Sequence, residues 1–370
     1  MSRPPLKEPP GKGKFSAFSL ILTERCPWHC GYCYQRRGTR VLEGKILDKA
    51  CAAVFPFLSA SSVIQFYGGE PLLAFDLVRR AVLRLEKENR SSRKRLRYVL
   101  TTNGALLSPE ILSFLNERRF ELMLSFDGLA QEKERQKGSF RILSSLLDDL
   151  PRYPGIKPAT NSVFGPRTVG LLSKSIAYIA ERKIPNMLLS FDYQVEWRKR
   201  SLDRLSHELR SVRKYFLRLP RARRTMPLIN FRHPAASGVF GCSAGRDRLA
   251  LAPDGRLWGC YFYADFFRVH PTADVARRFC FGTVGDFLRS AGDLDKNVLV
   301  QYARGRMDWA ETSERACGNC PYLDRCAFCP PAASLKSGKI GMIPVAVCRI
   351  NRILIKQREL FWAQAAERGT

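Results

Sequence analysis

The sequence predicts an α/β protein: a parallel sheet wound with helices, followed by a cysteine-rich C-terminal region. Three observations carry that prediction. Runs rich in β-branched and aromatic residues alternate with helix-length segments about six times between residues 18 and 191, the spacing of βαβ units. The punctuation Gly68-Gly69-Glu70-Pro71, Asn103-Gly104 and Asp127-Gly128 falls where strands end, the side on which parallel sheets gather their chemistry. Eight of the twelve cysteines lie beyond residue 240, where the alternation stops.

The elements follow in order. Residues 18–22 read as a strand, and the stretch Cys26-Pro27-Trp28-His29-Cys30-Gly31-Tyr32-Cys33 occupies the loop that leaves it. A helix is expected over 47–58, with Pro56 near its end and Cys51 as a buried structural thiol. Strand 62–67 runs into Gly68-Gly69-Glu70-Pro71, and helix 72–88 ends in a charged tract over 89–97. Strand 97–102, helix 109–118 and strand 121–126 come next, then helix 140–150, strand 156–164, helix 168–181 and strand 187–191. The basic segment 195–224, with Leu202, Leu205, Leu209, Val212 and Phe216 at helical spacing, reads as a linking helix. From Cys242 onward little regular alternation is visible, and 350–366 reads as a closing amphipathic helix. The expected division is a flexible basic lead-in over 1–14, an α/β domain with its linking helix over 15–230 and a cysteine-rich domain over 231–370.

Composition narrows the class. At 370 residues, 45% of them hydrophobic, the chain can bury a sizeable core. No apolar run approaches the ~20 residues of a membrane span, and residues 1–14 lack the apolar centre of a secretory signal. A cytoplasmic protein without membrane attachment is therefore expected. Cysteines in a reducing compartment point to metal rather than disulfides. The formal charge of +28 predicts an acidic partner (nucleic acid, an anionic surface or an acidic peptide), or it reflects a generally basic proteome. The basic runs 90–97, 198–200 and 218–224 read as solvated faces, the last also placed to guide an acidic peptide.

The cysteine loop is the most specific signal. Three thiolates within eight residues can hold one soft metal centre but supply only three ligands. A cubane iron–sulfur cluster wants four, which leaves one iron open to a non-protein ligand. Zinc is the alternative; it requires a fourth protein ligand, and His29 is too tightly placed to join Cys26, Cys30 and Cys33 readily.

The spacing Cys26-x3-Cys30-x2-Cys33, with Tyr32 before the last cysteine, resembles the signature of radical SAM enzymes. The resemblance implies a partial (β/α)6 TIM-like barrel. It implies that the three cysteines bind a 4Fe–4S cluster whose open iron is chelated by S-adenosylmethionine. One electron then splits the sulfonium to a 5′-deoxyadenosyl radical, which abstracts hydrogen from a substrate carbon. A low-potential donor such as flavodoxin or ferredoxin would supply the electron. Gly68, Gly69 and Glu70 resemble the family's motif for the cofactor's amino group; from the residues alone, the glycines let backbone approach a ligand and the carboxylate accepts from an ammonium. By the same resemblance Tyr32 and Asn103 line the cofactor pocket, Ser125 and Arg135 meet the methionine carboxylate, and Asn161 meets the nucleoside end. The segment between Asp127 and Arg135 is shorter than in relatives and lacks their His-Asp pair.

The second cysteine group is Cys242, Cys260 after Gly255, Cys317-x2-Cys320-x5-Cys326-x2-Cys329, and Cys348. Two C-x2-C pairs suit a zinc ribbon, but seven cysteines exceed one tetrahedral site. The pattern resembles the SPASM extension, a cysteine-rich iron–sulfur domain with two auxiliary 4Fe–4S clusters. That resemblance implies Cys317, Cys320, Cys326 and Cys348 for one cluster, and Cys242, Cys260 and Cys329 for the other. The last pair is one residue closer than usual, and a cysteine that relatives carry before the position of Cys242 is missing. His233 or Cys280 would complete that cluster, or its iron stays open; Cys280 also reads as a plain core residue.

The resemblance implies a maturase that cross-links or oxidises a ribosomally made peptide or a protein, and the charge of +28 adds the expectation of an acidic segment in that substrate. The chain starts about twenty-five residues before Cys26, which leaves no room for a fused winged-helix peptide-binding domain. One alternative is sulfatase-type oxidation of Cys or Ser to formylglycine, with Asp192 and Tyr193 as acid–base candidates at a late strand end. A second is RNA modification, against which no RNA-binding appendix is recognisable. From another class comes a non-catalytic zinc/nucleic-acid module; nucleic acid is the less favoured partner, since clusters explain the cysteines better.

Overall fold

The computed structural model describes residues 15–219, 225–232, 244–272, 279–290, 320–322, 325–326, 329–340 and 343–367. Cys242, His233, Cys317, the lead-in over 1–14 and most of the basic run 218–224 lie outside them.

Six parallel strands wind in chain order: β1 (Phe15–Ile21), β2 (Leu58–Tyr67), β3 (Arg95–Thr102), β4 (Glu121–Ser125), β5 (Lys157–Phe164) and β6 (Asn186–Phe191). Helices α1 (Gly44–Val54), α2 (Phe75–Ser92), α3 (Pro109–Glu117), α4 (Gln131–Glu134), α5 (Ser139–Asp149) and α6 (Leu172–Glu181) fill the crossovers. Sequential neighbours with helical crossovers form the partial TIM-like barrel. It stays open, with β6 at one edge.

Strand alternation sorts the faces. Phe18, Leu20, Ile64, Phe66, Leu100, Leu122 and Leu124 point outward and are fully buried by helices. Each such side chain contributes about 1.5–3 kcal/mol. Rings of Phe66, Tyr98 and Phe120 stack at 5.2–6.3 Å across β2, β3 and the start of β4. The opposite phase (Val63, Gln65 and Tyr67 on β2; Val99 and Thr101 on β3; Met123 and Ser125 on β4) is only half-buried and lines the concave interior.

Element ends follow local chemistry. Ser108 caps α3, accepting from Ile111 N at 3.3 Å, with Pro109 in the first turn. Helix α2 runs to Ser92, through part of the charged tract taken as following it, because Arg and Glu are good helix formers. It stops where Arg93 turns left-handed (φ 48°), and Asn89 holds the turn through Lys94 N at 2.7 Å and Lys94 O at 2.8 Å. Lys94 Nζ then donates to the carbonyls of Phe55 at 2.9 Å and Leu58 at 2.5 Å, tying β3 to the end of α1. The β6 edge is covered by the Asn230 carboxamide, which accepts from Leu189 N at 2.8 Å and donates to Leu189 O at 2.9 Å.

The sheet continues into the C-terminal third. β7 (Arg248–Leu251) adds in parallel beside β1, and β8 (Arg256–Trp258) and β9 (Cys280–Thr283) follow antiparallel. Regular structure after residue 242 is thus greater than expected; the turn Pro253-Asp254-Gly255, with Gly255 at φ +79°, was the legible signal. Helix α8 (Tyr261–Val269) follows β8, and α9 (Val284–Ser290), α10 (Pro330–Ser334) and α11 (Val345–Glu367) complete the described chain. The linking helix α7 (Lys199–Leu217) packs on α11, where buried Arg213 donates to Gln357 Oε1 at 2.9 Å and to Gln364. Among the described residues no helix is long and apolar enough to cross a membrane.

Candidate active site

The cysteine loop is tied to the ends of four strands. Its entry zips against the turn after β2: Gly69 N donates to Thr23 O and Glu70 N to Arg25 O, both at 2.8 Å. A Cβ on Gly68 (φ +153°) would lie 2.6 Å from Thr23 O, and one on Gly69 would lie 2.2 Å from Arg25 O. The close approach that these glycines make possible in this structure is chain against chain. Glu70 is buried and uses three of its roughly four acceptor positions internally. They take Leu72 N at 3.1 Å, Thr102 Oγ1 at 2.7 Å and Asn103 N at 2.8 Å. Burial pushes its carboxyl up to about 7 against these bonds, which favour the charged form. Asn103, fixed in turn, aims Nδ2 at Cys26 Sγ at 3.9 Å.

The far end of the loop docks on the turn after β4. Tyr32 Oη donates to Asp127 Oδ2 at 2.6 Å, Arg135 clamps the same carboxylate at 2.8 and 3.0 Å, and Val163 N donates to it at 2.8 Å. The Arg135 guanidinium lies 5.1 Å from the Tyr32 ring centroid. Arg135, expected at a ligand carboxylate, is thus bidentate on an internal one. Ser125 and Asn161 are register partners on the inner face, and Asn161 Oδ1 accepts from Ser190 Oγ at 2.9 Å. Gly31 N donates to Glu134 O at 2.7 Å, and Gln194 Nε2, beyond β6, donates to Tyr32 O at 3.0 Å.

The donor set suits a soft cluster. Burial pushes the Cys30 thiol up to about 11, with Arg135 opposing and Cys33 and Cys26 adding to it. Cys26 and Cys33 are raised by burial too. Three thiols near enough to disfavour one another's ionisation are what a polynuclear cation would relieve. Among the described residues no three His, Cys, Asp or Glu side chains converge as a single small ion requires; a cubane sets its thiolates on separate irons and so further apart.

Residues 20–147 match the family profile described as the Radical SAM superfamily. They form a radical SAM domain. The chain is 21% identical over 372 residues to the radical SAM cyclopropyl synthase TigE of Paramaledivibacter caminithermalis, covering 93% of this chain and 74% of TigE. Its fold resembles anSMEcpe solved with bound AdoMet and the Kp18Cys peptide (TM-score 0.74, 16% identity, 95% of this chain and 99% of that one). It also resembles Streptococcus suis SuiB bound to its precursor peptide SuiA (TM-score 0.57, 14% identity, 91% and 76%).

Helix α8 lies along the cysteine loop of the radical SAM domain and begins at Cys260. Tyr34 stacks on Phe262 at 4.5 Å, Tyr67 meets Tyr261 at 4.5 Å, and the Tyr34 and Tyr67 hydroxyls share a hydrogen bond of 2.5 Å. Gln35 Nε2 donates to buried Asp265 at 2.9 Å, while Arg268 pairs with Glu24 at 3.3 Å and donates to Arg36 O. Burial raises Asp265 to about 6 and all three tyrosines well above their usual range. Sequence reasoning missed Tyr34, Tyr67, Tyr261 and Asp265. The available signal was adjacency, since each tyrosine abuts Cys33, Gly68 or Cys260.

The C-terminal cysteines gather on α11. Arg352 donates to Cys320 Sγ at 3.5 Å and Asn351 to Cys326 Sγ at 3.8 Å. Burial opposes ionisation of Cys320, but Arg352 outweighs it and holds the thiol below its ordinary value. Cys326 and Cys348 pack beside Ala333, Ile343, Val347 and Tyr193. Cys329 lies near enough to both Tyr193 and Tyr261 to disfavour their ionisation, as Cys260 does for Tyr261. Cys280 on β9 instead feels Arg256, Asp254 and Asp286. Asp192 ends β6, accepts from Gln194 N at 2.9 Å and is raised by burial.

Proposed function

We propose that this radical SAM protein modifies a peptide or protein, cross-linking or oxidising it. The carrying observation is the convergence of the Cys26, Cys30 and Cys33 loop with Glu70, Asn103 and Asp127 on one end of an open barrel. In this reading the three cysteines hold a 4Fe–4S cluster. When bound with S-adenosylmethionine, that cluster supplies a hydrogen-abstracting 5′-deoxyadenosyl radical. Asn103 orients Cys26, while Asp127 and Arg135 immobilise Tyr32 and with it the Cys30–Cys33 turn. Gly68, Gly69 and Glu70 fix the loop's entry, and Ser125 and Asn161 offer polar groups on the inner face.

The peptide assignment draws on the likeness to TigE and on peptide-bound anSMEcpe and SuiB. SPASM-type auxiliary clusters are assigned to Cys317, Cys320, Cys326 and Cys348, and to Cys242, Cys260 and Cys329. The gathering of Cys320, Cys326 and Cys348 on α11 supports the first set. A low-potential flavodoxin or ferredoxin serves as electron donor, and the protein works in the cytoplasm.

Anaerobic purification tests the reading. A brown protein with about eight to twelve irons per chain is expected, forming 5′-deoxyadenosine from S-adenosylmethionine and dithionite. Replacing Cys26, Cys30 and Cys33 together by Ala should abolish that product, and its persistence would refute the assignment. Changing Cys320 or Cys348 should spare cofactor cleavage and stop substrate turnover.

Oxidation of a Cys or Ser side chain is a second reading, favoured by the partly dehydrated Asp192 carboxyl, which Gln194 links to Tyr32. A product carrying an aldehyde that a hydrazide captures, and that is lost in Asp192→Asn, would select it. Tyr193 is the accompanying acid–base candidate.

A further inference from the structure

The interior of the barrel is basic at its amino-terminal end. Arg95 and Arg97 on β3 belong to the half-buried phase that includes Val99 and Thr101, and both side chains are exposed. Arg248 on β7 stands at the same level: Ala17 pairs with Arg248 on one side and Val63 on the other, and Val63 pairs with Arg97. Through Ala17, Arg248 shares the inward phase of Val63 and Arg97, and its side chain is exposed like those of Arg95 and Arg97. None of the three arginine side chains has a hydrogen bond or ion pair among the described residues. Glu121 shares this face one level up, opposite Lys157, so the local balance remains positive. More than half of the described arginines find a carboxylate or carbonyl; three on one concave face without one are set for an outside anion.

We infer that Arg97 and Arg248, with Arg95, bind acidic side chains of a peptide lying along the barrel interior, which fixes the direction in which the substrate enters. The inference rests on the proposed peptide-modifying function and adds an orientation. Asn103, the residue at Cys26, lies six positions beyond Arg97, just past the end of β3. At ~3.3 Å per strand residue this is roughly 20 Å, about six residues of extended peptide. The acidic segment of the substrate therefore sits about six residues from the residue that reaches the cysteine loop. The surface runs at 90–93 and 198–200 play no part in this recognition.

The test uses the full anaerobic holoprotein and a fluorescein-labelled Gly/Ser peptide of about fourteen residues. The peptide carries Glu-Asp-Glu near one end and a benzophenone-alanine about six positions away; a matched peptide carries Gln-Asn-Gln. The acidic peptide should bind roughly tenfold tighter at low salt, with the preference falling below about twofold in Arg97→Gln/Arg248→Gln. The Arg97→Glu/Arg248→Glu protein should prefer a Lys-Lys-Lys peptide, which guards against reading a general loss of binding as support. Photolysis should attach the probe at Met123 or Tyr67. Equal binding of the acidic and amide peptides, or cross-links on α2 or α7, overturns the inference. Binding requires no turnover, so failure of the wild-type protein to form 5′-deoxyadenosine would count against the proposed function and not against this recognition.

Discussion

Gly69 shows how little space the junction between β2 and the cysteine loop leaves. A methyl group there would overlap the Arg25 carbonyl, which is backbone and cannot rotate away. Gly69→Ala should cost at least about 3 kcal/mol and weaken iron retention, read by denaturant midpoint and iron content; an unperturbed variant would mean that the loop entry relaxes freely. Glu70 beside it is raised by burial to about 7 from an ordinary value near 4.5. A raised carboxyl gives stability that is fully present below pH 4.5 and lost as pH climbs through 7. The gap in urea midpoint between wild type and Glu70→Gln should therefore narrow over that range, whereas a constant gap would show Glu70 ionised throughout. Sequence alone made Cys26, Cys30 and Cys33 legible, because metal spacing is local. It could not reveal that Arg135 is engaged by Asp127, or that Tyr34, Tyr67 and Tyr261 touch, because those contacts depend on distances set by the sheet.

At the scale of elements, periodicity located every strand from β1 to β6 to within a few residues, since most carry an apolar outward phase; β5, with Thr160 and Ser162 buried in that phase, was placed by its bounding turns instead. β7, β8 and β9 escaped notice because strands of three or four residues carry too little pattern. The edge of β6 is covered by the Pro227 carbonyl, which accepts from Met187 N at 2.8 Å, and at Leu189 by the Asn230 side chain. Asn230→Ala leaves both polar groups of Leu189 unpaired, so a loss of about 1–3 kcal/mol is expected, together with faster amide exchange at Leu189 but not at Met187, whose N–H donates to Pro227 O. Protection unchanged at Leu189 would show that another segment covers the edge. Helix α8 is the element with most to hold, since Cys260 begins it and its next turns engage Tyr34, Gln35 and Arg36.

For the whole molecule, the division at residue 230 that the sequence suggests does not interrupt the sheet. β7 is hydrogen-bonded to β1, and α11 is locked to α7 through Arg213. A chain truncated after residue 232 should expose the β1 edge and the apolar side of α7, and should be insoluble or aggregated. A monomeric, cooperatively melting fragment would show two independent units instead.

The reach of α8 back to the first loop also bears on synthesis. Asp265 and Arg268 contact Gln35 and Arg36 across 230 and 232 residues of chain. At ribosomal rates of about 5–20 residues per second, the cysteine loop waits roughly ten to fifty seconds for the helix that braces it. During that interval its thiols are exposed to the cell unbraced. A nascent chain stalled before α8 emerges therefore has a cysteine triad without the helix that braces it.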